Sequence, residues 1–598
     1  MRSPFLFLLV GFTTALGALY EKFDDVPKLD FDFIIVGGGT AGNVLANRLT
    51  ENSHISILVL EAGASTADVL ISQVPFYSPL ASAGNTSIDW NFTTTAQSGL
   101  NGRSIAYARG FGLGGSSAIN YMLYTRGSYQ DYDRYARVTG DDGWSWDALE
   151  PYILKSERFT SPVDHHNITG EFIPQDHGFD GLLSVTLPGY PRSTDSRMIQ
   201  ATADLPDEFP FNEDYNSGHH LGIGWEQSTV HNGTRSSSET AFLGPKYLSR
   251  PNLHVLIHTY VTRILESNST TKGVKTFDTV EFTQDAGETI YTLSPTKEII
   301  LSAGSIGTPH ILLYSGIGDA DELISVGVTP TVHLPDVGKN LTDHPRYALA
   351  WTVNSTDTIE NIYLRNETFQ EEALAEWEAS RTGYIASTSG NQLGFLRVAE
   401  GLLDDEPCSG DETAHFELIF TNGIPQEPIP PTGNYFTIIA IVVCPLARGH
   451  ITINSTNPLD PPFINPNLLG HPQDLTIIQA AINASQRFVA APAWDDYILE
   501  FASNTTEAAI REGADTLWHP VGTASMSPRH ADWGVVDPDL KMKGVKGVRI
   551  VDASVFPYVP AANTQAAVYA FAERAADLIK GRLWEEALTY DEFALIMK

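Results

Sequence analysis

The sequence predicts an α/β fold of the doubly wound type, joined to a second domain of sheet and helices so that the whole chain is α+β. Two observations support this prediction. A strand, a glycine-rich turn, a helix and a second strand follow one another near the start of the chain. Strands of the same apolar type return much later, which indicates that the first domain is discontinuous and is completed by the end of the chain.

The opening elements follow from their apolar patterns. Residues 31–36, Phe-Asp-Phe-Ile-Ile-Val, form a buried strand, and the turn Gly-Gly-Gly-Thr-Ala-Gly occupies residues 37–42. A helical stretch with apolar side chains on one side comes next, and a second apolar strand over residues 56–60 ends at Glu61. This succession is typical of the beginning of a dinucleotide-binding α/β unit.

Three glycines of the turn have separate tasks. Gly37 makes the tight turn, Gly39 lets the backbone approach a pyrophosphate, and Gly42 allows the helix and the strand to pack closely. The helix N-terminus, at Thr40 and Ala41, directs free N–H groups and the positive end of the helix dipole at the phosphates. The turn therefore predicts a dinucleotide cofactor.

Two further features accompany the turn. Glu61 lies about twenty residues past Gly42, where an acidic residue accepts a ribose hydroxyl. A second glycine cluster over residues 113–120 follows Arg103 and Arg109, and it can lay its backbone and hydroxyls along a cofactor. Taken alone, that cluster is more typical of a flexible surface loop. The glycine turn by itself does not separate FAD from NAD.

Later strands are predicted at residues 254–257, 298–301 and 547–551, and a helix-like run covers residues 565–579. The middle of the chain, roughly residues 340–510, is rich in glycosylation sequons and proline loops and is predicted to form most of a second domain that caps the first. The predicted boundaries are a signal peptide over 1–18, a first domain over 19–165, 236–335 and 511–598, and a second domain over 166–235 and 336–510.

Composition and charge restrict the function. The 598 residues are 42% hydrophobic and 18% charged, which excludes a disordered chain and a coiled coil. The formal net charge of -35 disfavours nucleic acid and membrane surfaces as partners. Two cysteines exclude a cysteine-built zinc or iron–sulfur site, and no other spacing indicates a metal site. We expect a monomer that acts on a small molecule.

The N-terminus is typical of a secretory signal, with Arg2, an apolar run over residues 5–10 and small residues around 15–18. We therefore expect a secreted, extracellular glycoprotein. In an oxidising compartment Cys408 and Cys444 can pair, although the sequence does not show that they meet. The Asn-x-Ser/Thr sequons that support export begin at Asn85, Asn91, Asn167, Asn232, Asn268, Asn340, Asn354, Asn366, Asn454, Asn483 and Asn504.

Taken together, the motifs resemble those of the glucose–methanol–choline (GMC) oxidoreductase family, over about residues 31–579. Within that family the chain is most similar to secreted aryl-alcohol oxidases. The family motifs beyond the glycine turn lie at residues 61–63, 113–120, 304–309, 315–318, 337–344, 519–523, 552–554 and 563–565. The stretches similar to aryl-alcohol oxidases lie at residues 89–97, 101–107, 170–174, 521–528 and 533–540.

The resemblance implies FAD rather than a nicotinamide cofactor. It makes the first domain an FAD-binding domain and the second a substrate domain over the flavin. It also implies that the Val261 backbone holds the adenine end, that Asp552 lies near the ribityl–pyrophosphate stretch, and that Thr564 and Gln565 lie near the flavin pyrimidine. The loop residues that it adds to the cofactor site are Arg109, Gly114, Ser117 and Asn120.

The chain departs from the family pattern at several positions. Phe111 stands where the family usually has a basic or amide residue. Ile119 stands where members with covalent flavin have histidine, so we predict non-covalent FAD. Aryl-alcohol oxidases use two active-site histidines; this chain keeps the first as His519 and has Asn563 at the second. An aromatic residue of their access loop is replaced around residues 424–425.

Alcohol oxidation by a flavin removes a hydroxyl proton and a carbon-bound hydride. His519, as a neutral imidazole, is expected to take the proton. Asn563 cannot take a proton, and its amide N–H is expected to donate to the alcohol oxygen. Tyr121 and Trp518 match aromatic positions of the family and are expected to stack a planar substrate or narrow its entrance. Without the resemblance, such aromatics are more typical of a core.

The sequence therefore predicts a secreted FAD-dependent oxidoreductase that acts on CH–OH donors. Its predicted reaction converts primary, aromatic or allylic alcohols to aldehydes, with electrons passing to oxygen, giving hydrogen peroxide, or to a quinone. A sugar dehydrogenase or oxidase of the same family stays open, although it needs more polar groups in its site. A secreted flavin-binding protein without alcohol turnover also stays open, and the presence of His519 and Asn563 disfavours it.

Overall fold

The structure, a computed structural model, describes residues 18–267, 274–424 and 428–596, with side chains described up to residue 581. The predicted signal peptide lies outside these ranges apart from Ala18. The sequon asparagine Asn268 and residue 425 of the predicted access loop also lie outside them.

A six-stranded sheet carries the glycine turn, and all of its pairings are parallel. Its strands come from the beginning, middle and end of the chain, so the sheet is assembled from distant segments. The five strands predicted for it are confirmed, each to within two residues; the edge strand Ala18–Tyr20 was not predicted. In spatial order the strands are Ala18–Tyr20, Leu253–Leu256, Ile57–Leu60, Phe33–Val36, Glu298–Leu301 and Val548–Ile550.

Two helices pack closely against each other beside the parallel sheet. Thr40–Leu49 follows the glycine turn, and Gln565–Ile596 begins at the predicted helical run and extends it. Arg48 Nε donates to the Glu573 carboxylate at 2.8 Å, a pair that is buried between the two helices. The other helices of seven or more residues are Tyr129–Thr139, Trp146–Ser156, Asp195–Asp204, Gly304–Tyr314, Glu367–Ser380, Pro472–Phe488 and Glu507–Gly513.

A seven-stranded antiparallel sheet stands opposite, and it draws mainly on residues 345–501. The apolar face of helix Pro472–Phe488 covers it and builds a second core with Leu349, Leu418 and Ile438. The sheet order is Ile498–Phe501, Pro345–Val353, Tyr435–Val442, Phe416–Thr421, Gln392–Leu396 and Gly222–Trp225, with Asp515–Thr516 pairing beside Pro345–Val353. A smaller antiparallel sheet contains Tyr260–Glu266, Lys275–Thr283 and Tyr291–Leu293. The predicted fold class is confirmed, and the domain boundaries stay a prediction.

A buried charge network lies between the strand Glu157–Thr160 and its surroundings. His177 Nδ1 lies 2.5 Å from the Glu157 carboxylate, its Nε2 lies 2.7 Å from Asp214, and Arg126 also contacts Glu157. Burial by itself lowers the pKa of His177, but the hydrogen bonds to Asp214 and Glu157 outweigh burial and raise that pKa above its ordinary value. The network therefore favours the protonated imidazole over the neutral one.

Cys408 and Cys444 form a disulfide, which confirms that they meet. The bond joins the loop before strand Phe416–Thr421 to the end of strand Tyr435–Val442. Over the described ranges, no helix is both long and apolar enough to cross a bilayer.

Candidate active site

A cavity of about 840 Å³ lies between the two large sheets. Its walls include Val36 and Leu60 at the carboxyl ends of the parallel strands, and Ile419 and Ile439 on the antiparallel sheet. A ligand site at the carboxyl ends of parallel strands is the usual arrangement in doubly wound folds. Every site residue predicted from the sequence lines this cavity except Gly42 and Gly114, which lie behind its wall.

The glycine turn forms one end of the cavity. Gly37 has a φ of +104°, and a Cβ there would lie 2.5 Å from the Ser302 carbonyl oxygen. A Cβ on Gly42 would lie 2.0 Å from the Gly37 oxygen, so helix and strand touch backbone to backbone. A Cβ on Gly39 would meet nothing closer than the Gly115 Cα at 3.7 Å, which is an ordinary van der Waals contact. The helix Thr40–Leu49 begins without a side-chain cap, so its first N–H groups are left for a ligand.

The carboxylate of Glu61 supports the turn from the end of strand Ile57–Leu60. It accepts the N–H groups of Gly38 and Gly63, each at 2.9 Å, and it lines the cavity. Burial raises the pKa of Glu61, and the backbone hydrogen bonds offset only part of that rise. The backbone of Gly112 and Ala62 also contributes hydrogen bonds to this carboxylate. The ribose role stays a prediction.

Sequence reasoning missed Ser302, whose hydroxyl is buried in the cavity wall and makes no hydrogen bond with the described residues. An unpaired buried hydroxyl is costly and indicates a polar ligand. Together with the uncapped helix N-terminus, it shows that this end of the cavity fits a pyrophosphate and its sugars.

The second glycine cluster closes the cavity beside the first. The Gly114 N–H donates to the Gly38 oxygen at 2.8 Å, so the two glycine segments touch directly. Ser117 Oγ donates to the Gly114 oxygen at 2.6 Å, and Asn120 Nδ2 donates to Gln565 Oε1 at 3.2 Å. The segment is therefore a fixed part of the wall rather than a flexible surface loop.

Arg235 braces this segment and was not predicted. Its buried guanidinium donates to the Ser72 oxygen at 2.6 Å and to the Asn120 oxygen and Oδ1, each at 2.7 Å. Burial lowers its pKa to about 9. Nothing in the local sequence distinguishes it, because its partners lie more than a hundred residues away along the chain.

Three predicted cofactor residues line the cavity from the C-terminal part of the chain. The Asp552 carboxylate accepts the Gly304 N–H at 2.9 Å and the Thr308 hydroxyl at 2.6 Å, which fixes the start of helix Gly304–Tyr314. Gln565 Nε2 donates to the Leu123 oxygen at 2.6 Å, and Thr564 lies beside it in the wall. Val261 lines the cavity from the strand Tyr260–Glu266.

Two departures from the family pattern can be located. Ile119 lines the cavity, so an apolar side chain occupies the position of the covalent histidine. Phe111 does not line it; its ring packs edge-on against Trp90, with centroids 4.8 Å apart, and Trp90 forms the wall instead.

His519 lies on the loop after strand Asp515–Thr516. Its main-chain N–H donates to Asp343 Oδ1 at 2.8 Å, and its Nδ1 lies 3.0 Å from Nδ1 of His344. Nε2 is thus the ring nitrogen that remains for a ligand. Burial first, and then His344 and Arg109, hold the pKa of His519 well below its ordinary value, so the imidazole is neutral.

The contact between His344 Nδ1 and His519 Nδ1 couples the tautomers of the two histidines. Burial lowers the pKa of His344 to about 3, so both rings are neutral and one Nδ1 must donate to the other. Either Nδ1 can be the donor of this pair, and His344 Nε2 has no hydrogen-bond partner among the described residues. When His519 donates from Nδ1, it keeps a lone pair on Nε2, as a base requires.

Arg109 and Asp343 hold the histidine loop in place. Trp518 has a φ of +59°, a left-handed conformation that is costly for a bulky residue. Its oxygen accepts from Arg109, and the Asp343 carboxylate accepts from Tyr107 at 2.6 Å and from Thr516 at 2.5 Å. Arg109 thus supports the residue before His519. Asp343 lies within a motif of the resemblance, but its partners were not predictable.

Asn563 lies across the cavity end and is buried. Its Nδ2 lies 3.1 Å from Glu417 Oε1 and 3.3 Å from Thr125 Oγ1, and its main-chain N–H donates to the same Thr125 oxygen at 2.6 Å. Both amide hydrogens therefore point at the protein in this arrangement. The group that faces a ligand is Oδ1, which differs from the expected N–H donor.

Two buried carboxyl groups in this region were not predicted. Burial raises the pKa of Glu417 to about 8 and that of Glu226 to about 7, and in Glu417 the charge of Glu226 adds to the rise. Glu226 Oε1 accepts from Thr388 and Ser228 at 2.5 and 2.7 Å. Both residues look like ordinary strand positions in the sequence.

Aromatic and apolar side chains complete the wall near His519. The rings of Tyr121 and Trp518 lie nearly parallel, with centroids 5.9 Å apart, and Arg346 lies 4.8 Å from the Trp518 ring. Apolar side chains and polar groups both face this part of the cavity. The apolar ones are Leu123, Ile419, Ile439 and Leu517, and the polar ones are Glu226, Arg346, Thr388 and Ser389.

Comparisons with known proteins identify the family. Two family models, both described as GMC oxidoreductase, match residues 31–346 and 445–572. Dehydrogenase eriK of Hericium erinaceus is 42% identical, covering 97% of this chain and 99% of its own length. Pyranose dehydrogenase 3 of Leucoagaricus meleagris is 39% identical, covering 96% of both chains.

Solved structures of other oxidases also superpose on this chain. A variant of formate oxidase from Aspergillus oryzae superposes with a TM-score of 0.84 at 28% identity, covering 95% of this chain and 99% of its own. A fungal aryl-alcohol oxidase superposes with a TM-score of 0.79 at 25% identity, covering 93% and 99%.

Proposed function

The chain belongs to the GMC oxidoreductase family and binds FAD as that family does, and from this we propose that it oxidises a primary alcohol to an aldehyde with His519 as the base. Non-covalent binding is part of the proposal, because Ile119 offers no atom for a covalent link. The proposed electron acceptor is oxygen, which would give hydrogen peroxide, or a quinone. The single observation that carries the proposal is the neutral His519 in the cavity wall, whose Nδ1 is engaged by His344 so that Nε2 is the ring nitrogen left for a ligand.

Residues of this chain remove the hydroxyl proton of the substrate. The substrate hydroxyl lies against His519 Nε2, which takes its proton as the C–H bond breaks. The chemistry that FAD supplies when bound is acceptance of the hydride from the same carbon. Asn563 lines the same cavity and would orient the hydroxyl through its side-chain amide, and Arg109 supports the histidine loop through the Trp518 oxygen.

We propose an alcohol with a planar apolar body as the first substrate class. The Tyr121–Trp518 pair and the side chains of Ile419 and Ile439 offer an aromatic and aliphatic surface of the right kind. A sugar is the second candidate. The names of the pyranose dehydrogenases among the relatives favour it, as does the polar part of the wall around Glu226 and Arg346.

Anaerobic mixing of the purified yellow protein with an alcohol tests both classes. Rapid bleaching with para-methoxybenzyl alcohol but not with glucose supports the aromatic class, and the reverse result moves the substrate to the sugar class. A flavin that stays yellow with both supports a protein without alcohol turnover. Admitting air and then a quinone to the bleached protein shows which acceptor restores the colour faster.

Secretion is also part of the proposal. Among the described residues, every sequon asparagine except Asn340 is exposed, as glycosylation requires. The Cys408–Cys444 disulfide is typical of an oxidising compartment. Expression of the full chain in a fungal host, followed by detection of the protein in the medium, tests this point.

A further inference from the structure

The carboxyl group of Glu417 lies directly behind Asn563. Glu417 is on the strand Phe416–Thr421, and its side chain is fully buried. One oxygen, Oε1, lies 3.1 Å from Asn563 Nδ2, and the other, Oε2, has no hydrogen-bond partner among the described residues. A buried carboxylate with a single hydrogen bond is costly, and the neutral acid costs much less.

The amide of Asn563 has two ends of nearly equal shape and opposite hydrogen-bonding character. The nitrogen donates and the oxygen accepts, and a half-turn about the last side-chain bond exchanges them. The end that faces Glu417 and Thr125 is fixed by what those residues offer. The opposite end faces the cavity, where the substrate hydroxyl would lie.

We propose that Glu417 is a positioning residue whose protonation decides which end of the Asn563 amide faces the substrate. Ionised Glu417 only accepts, so it holds Nδ2 and leaves Oδ1 toward the cavity. Protonated Glu417 donates to Oδ1, and Thr125 Oγ1, which already accepts the Asn563 N–H, can donate to Oδ1 as well. Nδ2 then faces the cavity as a donor. This inference rests on the proposed alcohol oxidation.

The surroundings of Glu417 favour the protonated form at neutral pH. Two titratable groups interact electrostatically with the Glu417 carboxyl, namely Glu226 and Tyr215. Neither of them carries a positive charge. Burial, with the charge of Glu226 added, raises the pKa of Glu417 to about 8, against the hydrogen bond from Asn563. The donor form of Asn563 should therefore prevail below about pH 8, and the acceptor form above it.

The two forms differ in what they do to the reaction. Negative charge develops on the substrate oxygen as its proton moves to His519, and a donor facing that oxygen stabilises the charge. Oδ1 in the same place repels it. His519 cannot produce an alkaline decline, because it is already neutral at these pH values. Loss of one such donor typically costs about 10²–10³-fold in rate, which is the upper limit of the expected decline.

The test compares the wild-type holoenzyme with Glu417→Gln and Glu226→Gln. Anaerobic flavin reduction is followed from about pH 6 to about pH 10, with para-methoxybenzyl alcohol or, if only the sugar reduces the flavin, with glucose. In the wild type, the rate of flavin reduction should fall as the pH rises through about 8. Glu417→Gln should lose this pH dependence, since glutamine does not titrate and both donates and accepts. In Glu226→Gln the rate of flavin reduction should still fall with rising pH, but at a lower pH than in the wild type. The reason is that the substitution removes the like charge that raises the pKa of Glu417.

An infrared measurement on the ligand-free holoenzyme needs no substrate. The wild type should lose a carboxylic acid C=O stretch as the pH passes about 8, and Glu417→Gln should lack that signal. The flavin absorbance of each variant shows whether it is folded. An acid signal that does not change with pH overturns the proposal, and so does an alkaline decline that persists in Glu417→Gln. Failure of the proposed function gives a different result, namely a flavin that no alcohol reduces while the Glu417 signal still titrates.

Discussion

The close contact behind the glycine turn predicts the effect of Gly42→Ala. A Cβ at this position would lie 2.0 Å from the Gly37 oxygen, 3.2 Å from the Gly37 carbonyl carbon and 3.3 Å from Ile35 Cγ2. Because real Cβ contacts below 3.0 Å essentially never occur, helix Thr40–Leu49 must move by about 1 Å. Its packed face includes Val44, Leu45 and Leu49, all fully buried.

Such overpacking typically costs about 1–3 kcal/mol, and we expect a value near 3 kcal/mol because backbone rather than a flexible side chain must give way. The helix N-terminus shifts with the helix, so flavin content should fall as well. The assay is urea unfolding of the flavin-free protein, followed by tryptophan fluorescence, together with the ratio of flavin to protein absorbance in the purified holoenzyme.

Gly39→Ala is the matched control. Its Cβ would make only an ordinary contact at 3.7 Å with the Gly115 Cα, and Gly39 has a φ of -90°, which alanine adopts readily. We expect its flavin-free form to unfold within about 0.5 kcal/mol of the wild type. Flavin content should still fall, since the methyl group stands where the backbone approaches the pyrophosphate. Wild-type stability in Gly42→Ala would refute the packing argument.

Three further predictions concern parts of the chain outside the cofactor site. Replacing Cys408 and Cys444 together by serine should lower the free energy of unfolding by about 4 kcal/mol, because the disulfide closes a loop with a sequence separation of 36. Urea unfolding of the two proteins measures this difference. His177→Gln should destabilise the protein most below about pH 6.5. The stabilisation from the protonated imidazole is fully present there and is lost as the pH rises through its raised pKa, so melting temperatures of the two proteins should converge at alkaline pH. Asn340 should carry no glycan, because its amide already donates to Ser525 Oγ at 3.0 Å and to the Pro557 oxygen at 3.1 Å; glycopeptide mass spectrometry of the secreted protein would detect one.

The parallel sheet could be predicted well because most of its strands are apolar and the strand Phe33–Val36 is followed by a strong turn signal. Gly37, Gly39 and Gly42 each have a local geometric requirement that is visible in the sequence. The edge strand Ala18–Tyr20 was missed, since three residues of mixed character carry no periodic pattern. The antiparallel sheet was expected as part of a second domain, but its strand order depends on long-range pairings that no local pattern encodes.

The candidate site was predictable where a motif carried it and not where tertiary contacts did. His519 and Asn563 stand in recognisable motifs. Glu417 and Arg235 do not, because their burial and their partners arise from elements far apart in the chain. The direction of the Asn563 amide also could not be predicted, since it depends on the protonation of a neighbour that only the fold brings near.

The measurement that tests the central claim most directly is anaerobic flavin reduction in His519→Ala. The variant should stay yellow, because His519 lies at the substrate end of the cavity and not in the glycine turn, and His54→Ala, an exposed histidine, serves as the control. The test uses an alcohol that reduces the flavin of the wild type. Without the base, the same alcohol should reduce the flavin about 10²–10⁴-fold more slowly. Reduction at the wild-type rate in a fully flavin-loaded His519→Ala protein would contradict the assignment of His519 as the base.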